Sequence, residues 1–273
     1  MSVGYLEGAF LGLVQGLTEF LPISSSAHLR VVGELMGTDP GASFTAVTQL
    51  GTETAVVVYF ARDIVRIVTA WVQALLRRRP QDDPDVRMGW LIIVGSIPIG
   101  VLGFVFQDVI RDDLRNLWVV ATMLWVFALL LGIADRVARD AKPLSDLTWR
   151  DGLLFGGAQA LALIPGVSRS GGTITAGLLL GYTREAAARY SFLLAIPAVF
   201  ASGLYELREI GSDGPVAWGP TLLATAIAFV VALGVIRWFL GYVSRRGFGV
   251  FVVYRLVLAA IIYALLLTGT LQP

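Results

Sequence analysis

The sequence predicts an all-α polytopic membrane protein built as an inverted repeat, each half a re-entrant helical hairpin followed by three transmembrane helices. Three observations carry this. The 273-residue chain is 56 % apolar and 15 % charged with a mean hydropathy of +0.74, and its apolar runs approach the roughly 20 residues a spanning helix needs. Many of its glycines and prolines sit inside those runs, a membrane habit. A polar motif at Gln15–His28 returns after Gly152 in a second, similar setting.

The elements follow in order. Residues 4–19 form an apolar, glycine-spaced helix interrupted by Glu7, Gln15 and Glu19, the last two sharing one helical face at i, i+4. This arm reaches only about 24 Å, short of the roughly 30 Å hydrocarbon core. Leu21-Pro22 breaks it, and Ser24-Ser25-Ser26 supply caps for a second short helix, about 25–36, ending at Gly37. A span at about 42–61 carries Gln49, Thr52 and Glu53. The segment from Arg62 to Arg87 is basic, with Arg77-Arg78-Arg79 beside a Pro80–Pro84 breaker. Spans at about 88–107 and 116–137 are separated by a mixed-charge turn, Gln107 to Arg115, and the loop Arg136–Arg150 follows.

Residues 152–181, GLLFGGAQALALIPGVSRSGGTITAGLLLG, repeat the helix, proline break, Ser-x-Ser and small-residue helix. An offset of 144 superposes Gln15 on Gln159, Ser24 on Ser168 and Ser26 on Ser170, while Pro22 and Pro165 miss by one position. Spans at about 186–207, 218–240 and 249–269 complete the second half. The chain reads as a single integral membrane domain of two repeats, about 1–140 and 148–273. Arginine placement supports the hairpins. With the basic loop 62–87 inside, Arg136–Arg150, Arg184/Arg189 and Arg237/Arg245/Arg246 also fall inside, leaving Arg30, Arg111, Arg115 and Arg208 towards the outside. Full spans at 4–19 and 152–167 would send two basic loops outward. The lack of cysteine removes disulfides and thiolate metal sites. No basic n-region or cleavage site marks MSVGYLEGAF, so no removable signal peptide is expected.

The polar residues of the two breaks carry the chemistry. Leaving Glu19, His28 and three serines in hydrocarbon is costly unless they are paired or solvated, so a site is expected there. In PGVSRSGGT, Pro165–Thr173, Ser168, Ser170 and Thr173 supply hydroxyls, and Arg169 at a helix start can grip phosphate oxygens. The facing hairpin adds Glu19, Ser25 and His28, a hydrolytic constellation, with Gln15, Ser24 and Ser26 beside them. Glu19 can act as a general base or bind Mg²⁺ or Ca²⁺ through oxygen. The single histidine excludes a polyhistidine zinc site.

QGLTEFLPISSSAH and PGVSRSGGT resemble the two signature motifs of the undecaprenyl-pyrophosphate phosphatases, the bacitracin-resistance type. The second motif matches in full, and the resemblance covers the whole chain. It implies hydrolysis of undecaprenyl pyrophosphate to the monophosphate and inorganic phosphate, in recycling of the cell-wall lipid carrier. It further implies a bacterial inner-membrane location, a site opening to the outer face and dependence on a divalent cation. Glu19, Ser25, His28, Arg169 and Thr173 fall on the family's catalytic positions. Gln15 stands where many members have Glu, so a two-carboxylate metal site involving that position is in doubt. Ser25 is the first choice of nucleophile, activated by His28 or Glu19, with His28 itself or a metal-activated water as alternatives. A transporter or flippase of polyprenyl phosphates is the competing class, since mid-membrane hairpins also serve transporters. The arginine run suits anionic lipid rather than nucleic acid. A homodimer is compatible with the sequence.

Overall fold

The computed structural model describes residues 3–38, 41–112, 114, 116–208 and 216–272. Among them the chain is all-helical. Two short arms come first, α1 (Tyr5–Thr18) and α2 (Ser25–Leu35), then α3 (Gly41–Tyr59), α4 (Ala61–Leu75), α5 (Pro84–Val105), the short α6 (Gln107–Asp112) and α7 (Leu117–Val137). The second half begins with α8 (Trp149–Ala160) and α9 (Arg169–Leu179) and ends with α10 (Arg184–Arg208), α11 (Trp218–Val243) and α12 (Gly249–Leu267). The expected boundaries are met to within a few residues, because proline, glycine and cap residues mark them. Asp83 caps α5 with Pro84 at its first position, Asn116 caps α7 and Thr148 caps α8.

Five helices, α5, α7, α10, α11 and α12, are long and apolar enough to cross a membrane. The sixth expected span, α3, has 19 residues but is interrupted by Thr45, Thr48, Gln49, Thr52, Glu53 and Thr54, and it borders the site. Helices α1 and α8, with 14 and 12 residues, rise only about 21 and 18 Å, so neither spans alone. One expectation is corrected. The basic segment after residue 61 opens as the amphipathic helix α4, which turns Ile67, Ala70 and Ala74 inward onto α5 and leaves Val65, Val68 and Val72 exposed. The Gln107–Arg115 turn likewise begins as the helix α6.

The two halves interlock. Helix α1 packs on α11 of the second half, and α8 packs on α5 of the first. Both contacts run through glycine: a methyl group on Gly12 would collide with the Ala224 carbonyl, and one on Gly156 with the Gly95 carbonyl. Small residues let apolar helices approach where no hydrophobic drive exists between them. Phe20 and Ile23 of the first break share a core with Ile174 and Leu178 of α9, with Phe20 edge-on to Phe192 at 5.2 Å.

The basic loops gather at one end of the bundle, as arginine placement anticipates. Arg189 pairs with Asp63 at 2.9 Å, Arg184 with Asp135 and Asp140 at 2.8 Å each, and Arg87 donates to the Leu147 carbonyl. Asp135 also accepts the Phe248 amide at 2.8 Å. The side chains of Arg111, Arg115 and Arg208 lie outside the described residues.

Gly156→Ala is expected to destabilise the protein by about 1–3 kcal/mol through overpacking. Its neighbour Gly157, whose added methyl meets open space, is expected to accept alanine neutrally or with a gain. Size-exclusion after a heat ramp in detergent compares the two, and equal behaviour would contradict the α8–α5 packing.

Candidate active site

Both hairpin breaks end in the same local device. Ser24 and Ser168 sit at φ 72° and 70° and act as N-caps of α2 and α9. Their hydroxyls accept from the amides of Ala27 and Gly171 at 3.4 and 3.1 Å. Each also pairs with the serine two residues on: Ser24 with Ser26 at 3.1 Å, Ser168 with Ser170 at 3.2 Å. Left-handed backbone at a non-glycine residue costs on the order of 1–3 kcal/mol and persists only where the surroundings over-determine it. Here the cap and the hydroxyl pair do so. Gln15 and Gln159 are both buried one helix earlier. The two breaks therefore match locally in cap and hydroxyl geometry.

Chemistry distinguishes the two breaks. On the first, Glu19 lies just past the end of α1. Its Oε2 accepts from Gln15 Nε2 at 2.8 Å and from Ser25 Oγ at 2.6 Å. On the second, Arg169 Nη2 donates to Glu19 Oε1 at 2.6 Å and to Glu53 Oε1 at 2.5 Å. Gln49 Nε2, one turn from Glu53 on α3, lies 3.4 Å from Glu19 Oε1. Glu53 is fully buried and the Glu19 side chain nearly so. Two carboxylates and one guanidinium leave one uncompensated negative charge if all are ionised. Such a cluster in a low-dielectric setting attracts a further cation.

His28 is held elsewhere. Its Nδ1 faces the Ser24 carbonyl at 2.7 Å and its Nε2 the Tyr254 hydroxyl at 2.7 Å. Since a carbonyl only accepts, Nδ1 carries the proton and Nε2 accepts from tyrosine; this tautomer is assigned from the hydrogen bonds. The two rings stack with centroids 5.6 Å apart. Of the two activators considered for Ser25, the structure brings up Glu19 and gives His28 other partners. Ser170 donates to the Leu21 carbonyl at 3.0 Å, and Thr173 pairs with Ser191 at 2.5 Å while bonding back to the Arg169 carbonyl at 2.8 Å. Ser26 is exposed.

Three participants lay outside the sequence-based set. Glu53, one turn from Gln49 on its span, could be read only as lining the cavity or pairing within the bundle, and Tyr254 carried no signal. Arg255 did carry one: a lone charge inside the apolar run FVVYRLVL. It is fully buried and meets no carboxylate among the described residues. Its guanidinium donates to the carbonyls of Leu124, Pro22, Gly166 and Val167 at 3.1, 3.0, 2.9 and 3.1 Å, with Met123 at 3.4 Å. One side chain thus satisfies backbone from both breaks and from α7. Gly166, at φ +95°, has no space for a side chain against the Val120 carbonyl, which lets the second break come this close.

Fold and site together define a membrane-embedded protein with a hydrolytic constellation at the junction of two interrupted helical hairpins. The chain belongs to the bacitracin resistance protein BacA family, whose model matches residues 8–261. It is 62 % identical to the undecaprenyl-diphosphatase of Kineococcus radiotolerans over 99 % of this chain and 97 % of that protein. It is 64 % identical to the undecaprenyl-diphosphatase of an Arthrobacter species, over 97 % and 95 %. With undecaprenyl-diphosphatase 2 of Agrobacterium fabrum the identity is 61 % over 100 % and 99 %.

Arg255→Met is expected to leave break carbonyls unsatisfied at about 1–3 kcal/mol each. Arg255→Lys, with three donors, should restore only part of the loss. Thermal unfolding in detergent measures this, and an unchanged midpoint in Arg255→Met would refute the clasp.

Proposed function

We propose that this protein is an integral membrane phosphatase that hydrolyses undecaprenyl diphosphate to undecaprenyl phosphate and inorganic phosphate, recycling the lipid carrier for peptidoglycan synthesis. The family membership and the names of its relatives support the reaction. The observation that supports the site is the 2.6 Å hydrogen bond from Ser25 to a carboxylate that Gln15 and Arg169 hold in place. A hydroxyl on an oriented base is the arrangement an activated nucleophile needs.

In this reading Arg169, with the hydroxyls of Ser168, Ser170 and Thr173 near the start of α9, recognises the diphosphate. Positioning and charge neutralisation are the main tasks in phosphoryl transfer. Ser25 Oγ attacks the terminal phosphorus and passes its proton to Glu19 Oε2. The Oγ–P bond forms as the bridging P–O bond breaks, and undecaprenyl phosphate leaves. Water then attacks the phosphoserine. Glu19 returns its proton to Oγ, and the product is inorganic phosphate. His28, positioned by Tyr254, borders the Ser24–Ser26 turn.

The donor set fits a divalent cation such as Mg²⁺ or Ca²⁺. Glu53 Oε2 and Gln15 Oε1 are buried without a hydrogen-bond partner, and no cluster of three or more His, Cys, Asp or Glu side chains occurs among the described residues. One or two carboxylates completed by phosphate oxygens are what Mg²⁺ favours. Glu19 and Glu53, with the Gln15 amide oxygen, would hold the ion; when bound it neutralises phosphate charge. Glu53 offers the second carboxylate that Gln15 withholds. We read the membrane as the bacterial inner membrane, the two halves as inverted in it and the site as opening outward; the gathering of basic loops at the opposite end supports this sidedness.

The test is phosphate release from undecaprenyl diphosphate by detergent-purified protein. Ser25→Ala is expected to lower turnover by about 10²–10⁴-fold, and EDTA to suppress it reversibly. Near-normal turnover in Ser25→Ala would hand the attack to His28 or water. Lipid binding without phosphate release would favour a transporter.

A further inference from the structure

A separate cavity of about 130 Å³ lies beside the site, lined by Ser26, Arg30, Glu34, Thr38, Thr45 and Pro165 among others. Ser26 belongs to the first break and Pro165 to the second, so the cavity reaches both hairpins at their interruptions. Ser26, Arg30 and Glu34 are spaced by four residues and form one face of α2. Their order runs from the Ser24–Ser26 hydroxyl pair outward, towards the α2–α3 connection.

Arg30 is the unexplained group here. It forms no ion pair among the described residues, and its Nε is buried without a hydrogen-bond partner. Arg169 also keeps one buried nitrogen, Nη1, without a partner, but it pairs with two carboxylates, and Arg255 is bonded through every nitrogen. Nor does Glu34, one turn along the same helix, pair with it. A guanidinium lining a partly open cavity with unmade donor capacity is matched by an oxyanion, and phosphate fits the guanidinium fork bidentately. The cavity is far larger than one water requires.

We propose that Arg30 binds a phosphate group in this vestibule, an anion site distinct from the Arg169-bridged carboxylates. The source of the anion rests on the phosphatase reading: the terminal phosphate of arriving lipid, or inorganic phosphate on its way out. Glu34 sits past Arg30 with the opposite charge and weakens the hold, so the anion passes through rather than lodging. The two residues therefore make opposite contributions to affinity for the same ligand.

The experiment measures binding of inorganic phosphate to the full-length protein in detergent by ³¹P line broadening, and phosphate inhibition of lipid hydrolysis. Arg30→Gln is expected to weaken phosphate about five- to tenfold, with Arg30→Lys intermediate because a point charge replaces a fork. Glu34→Gln is expected to tighten it about two- to fivefold by removing like charge. Arg62→Gln, on α4, serves as the control and should leave phosphate affinity unchanged. A raised KM for the lipid in Arg30→Gln with unaltered phosphate affinity would also uphold the site and assign the anion to the arriving substrate. No change in either quantity would overturn it. Direct phosphate binding needs no turnover. A wild type that fails to hydrolyse lipid while Arg30→Gln still loses phosphate would sink the phosphatase reading and leave the vestibule standing.

Discussion

The structure depends on satisfying backbone at two places where helices stop inside apolar surroundings. An interrupted helix leaves carbonyls without partners, and in hydrocarbon each unmet group costs several kcal/mol. Arg255 resolves this at both breaks with one guanidinium, five N–H donors against a ring of carbonyls. A carboxylate partner would have used up those donors. With no such partner among the described residues, the arginine serves backbone, and its charge is dispersed over peptide dipoles rather than cancelled by one anion. Ser170 adds a second tie by donating to the Leu21 carbonyl. The site residues can be polar and close together because the backbone beneath them is already settled.

The two halves keep a shared frame and divide the chemistry between them. Ser24 and Ser168 use the same unusual backbone conformation and the same hydroxyl partners. The residue that follows differs: Ser25 in one half, Arg169 in the other. The proposed nucleophile and the anion-gripping cation thus occupy corresponding places on matching scaffolds, and they converge on Glu19 from opposite hairpins. The matching caps allow this because they depend on Ser24 and Ser168, leaving the next position open to change.

The long helices, the two breaks and the serine caps were legible in the sequence because each depends on local features: apolar length, a proline, a hydroxyl at a helix start. The meeting of Glu19 with Arg169 was anticipated only as two hairpins facing each other. The partner of Glu53 was not legible, since its place against Arg169 depends on packing between elements more than 100 residues apart. Helix α4 was overlooked because its arginines suggested a loop, while its apolar positions, Ile67, Ala70 and Ala74, recur at helical spacing. Arg255 was visible as an anomaly in an apolar run, but nothing nearby in sequence says that its partners are carbonyls.

The clasp has a consequence for how the chain comes into being. Arg255 lies on α12, whereas the carbonyls it holds belong to residues 22, 123, 124, 166 and 167. During synthesis both breaks leave the ribosome long before the group that satisfies them. Until α12 arrives, those carbonyls must be tended by water or lipid headgroups, and the paired hairpins cannot settle into their final form. The order of translation therefore delays completion of the two breaks until α12 has been made and packed.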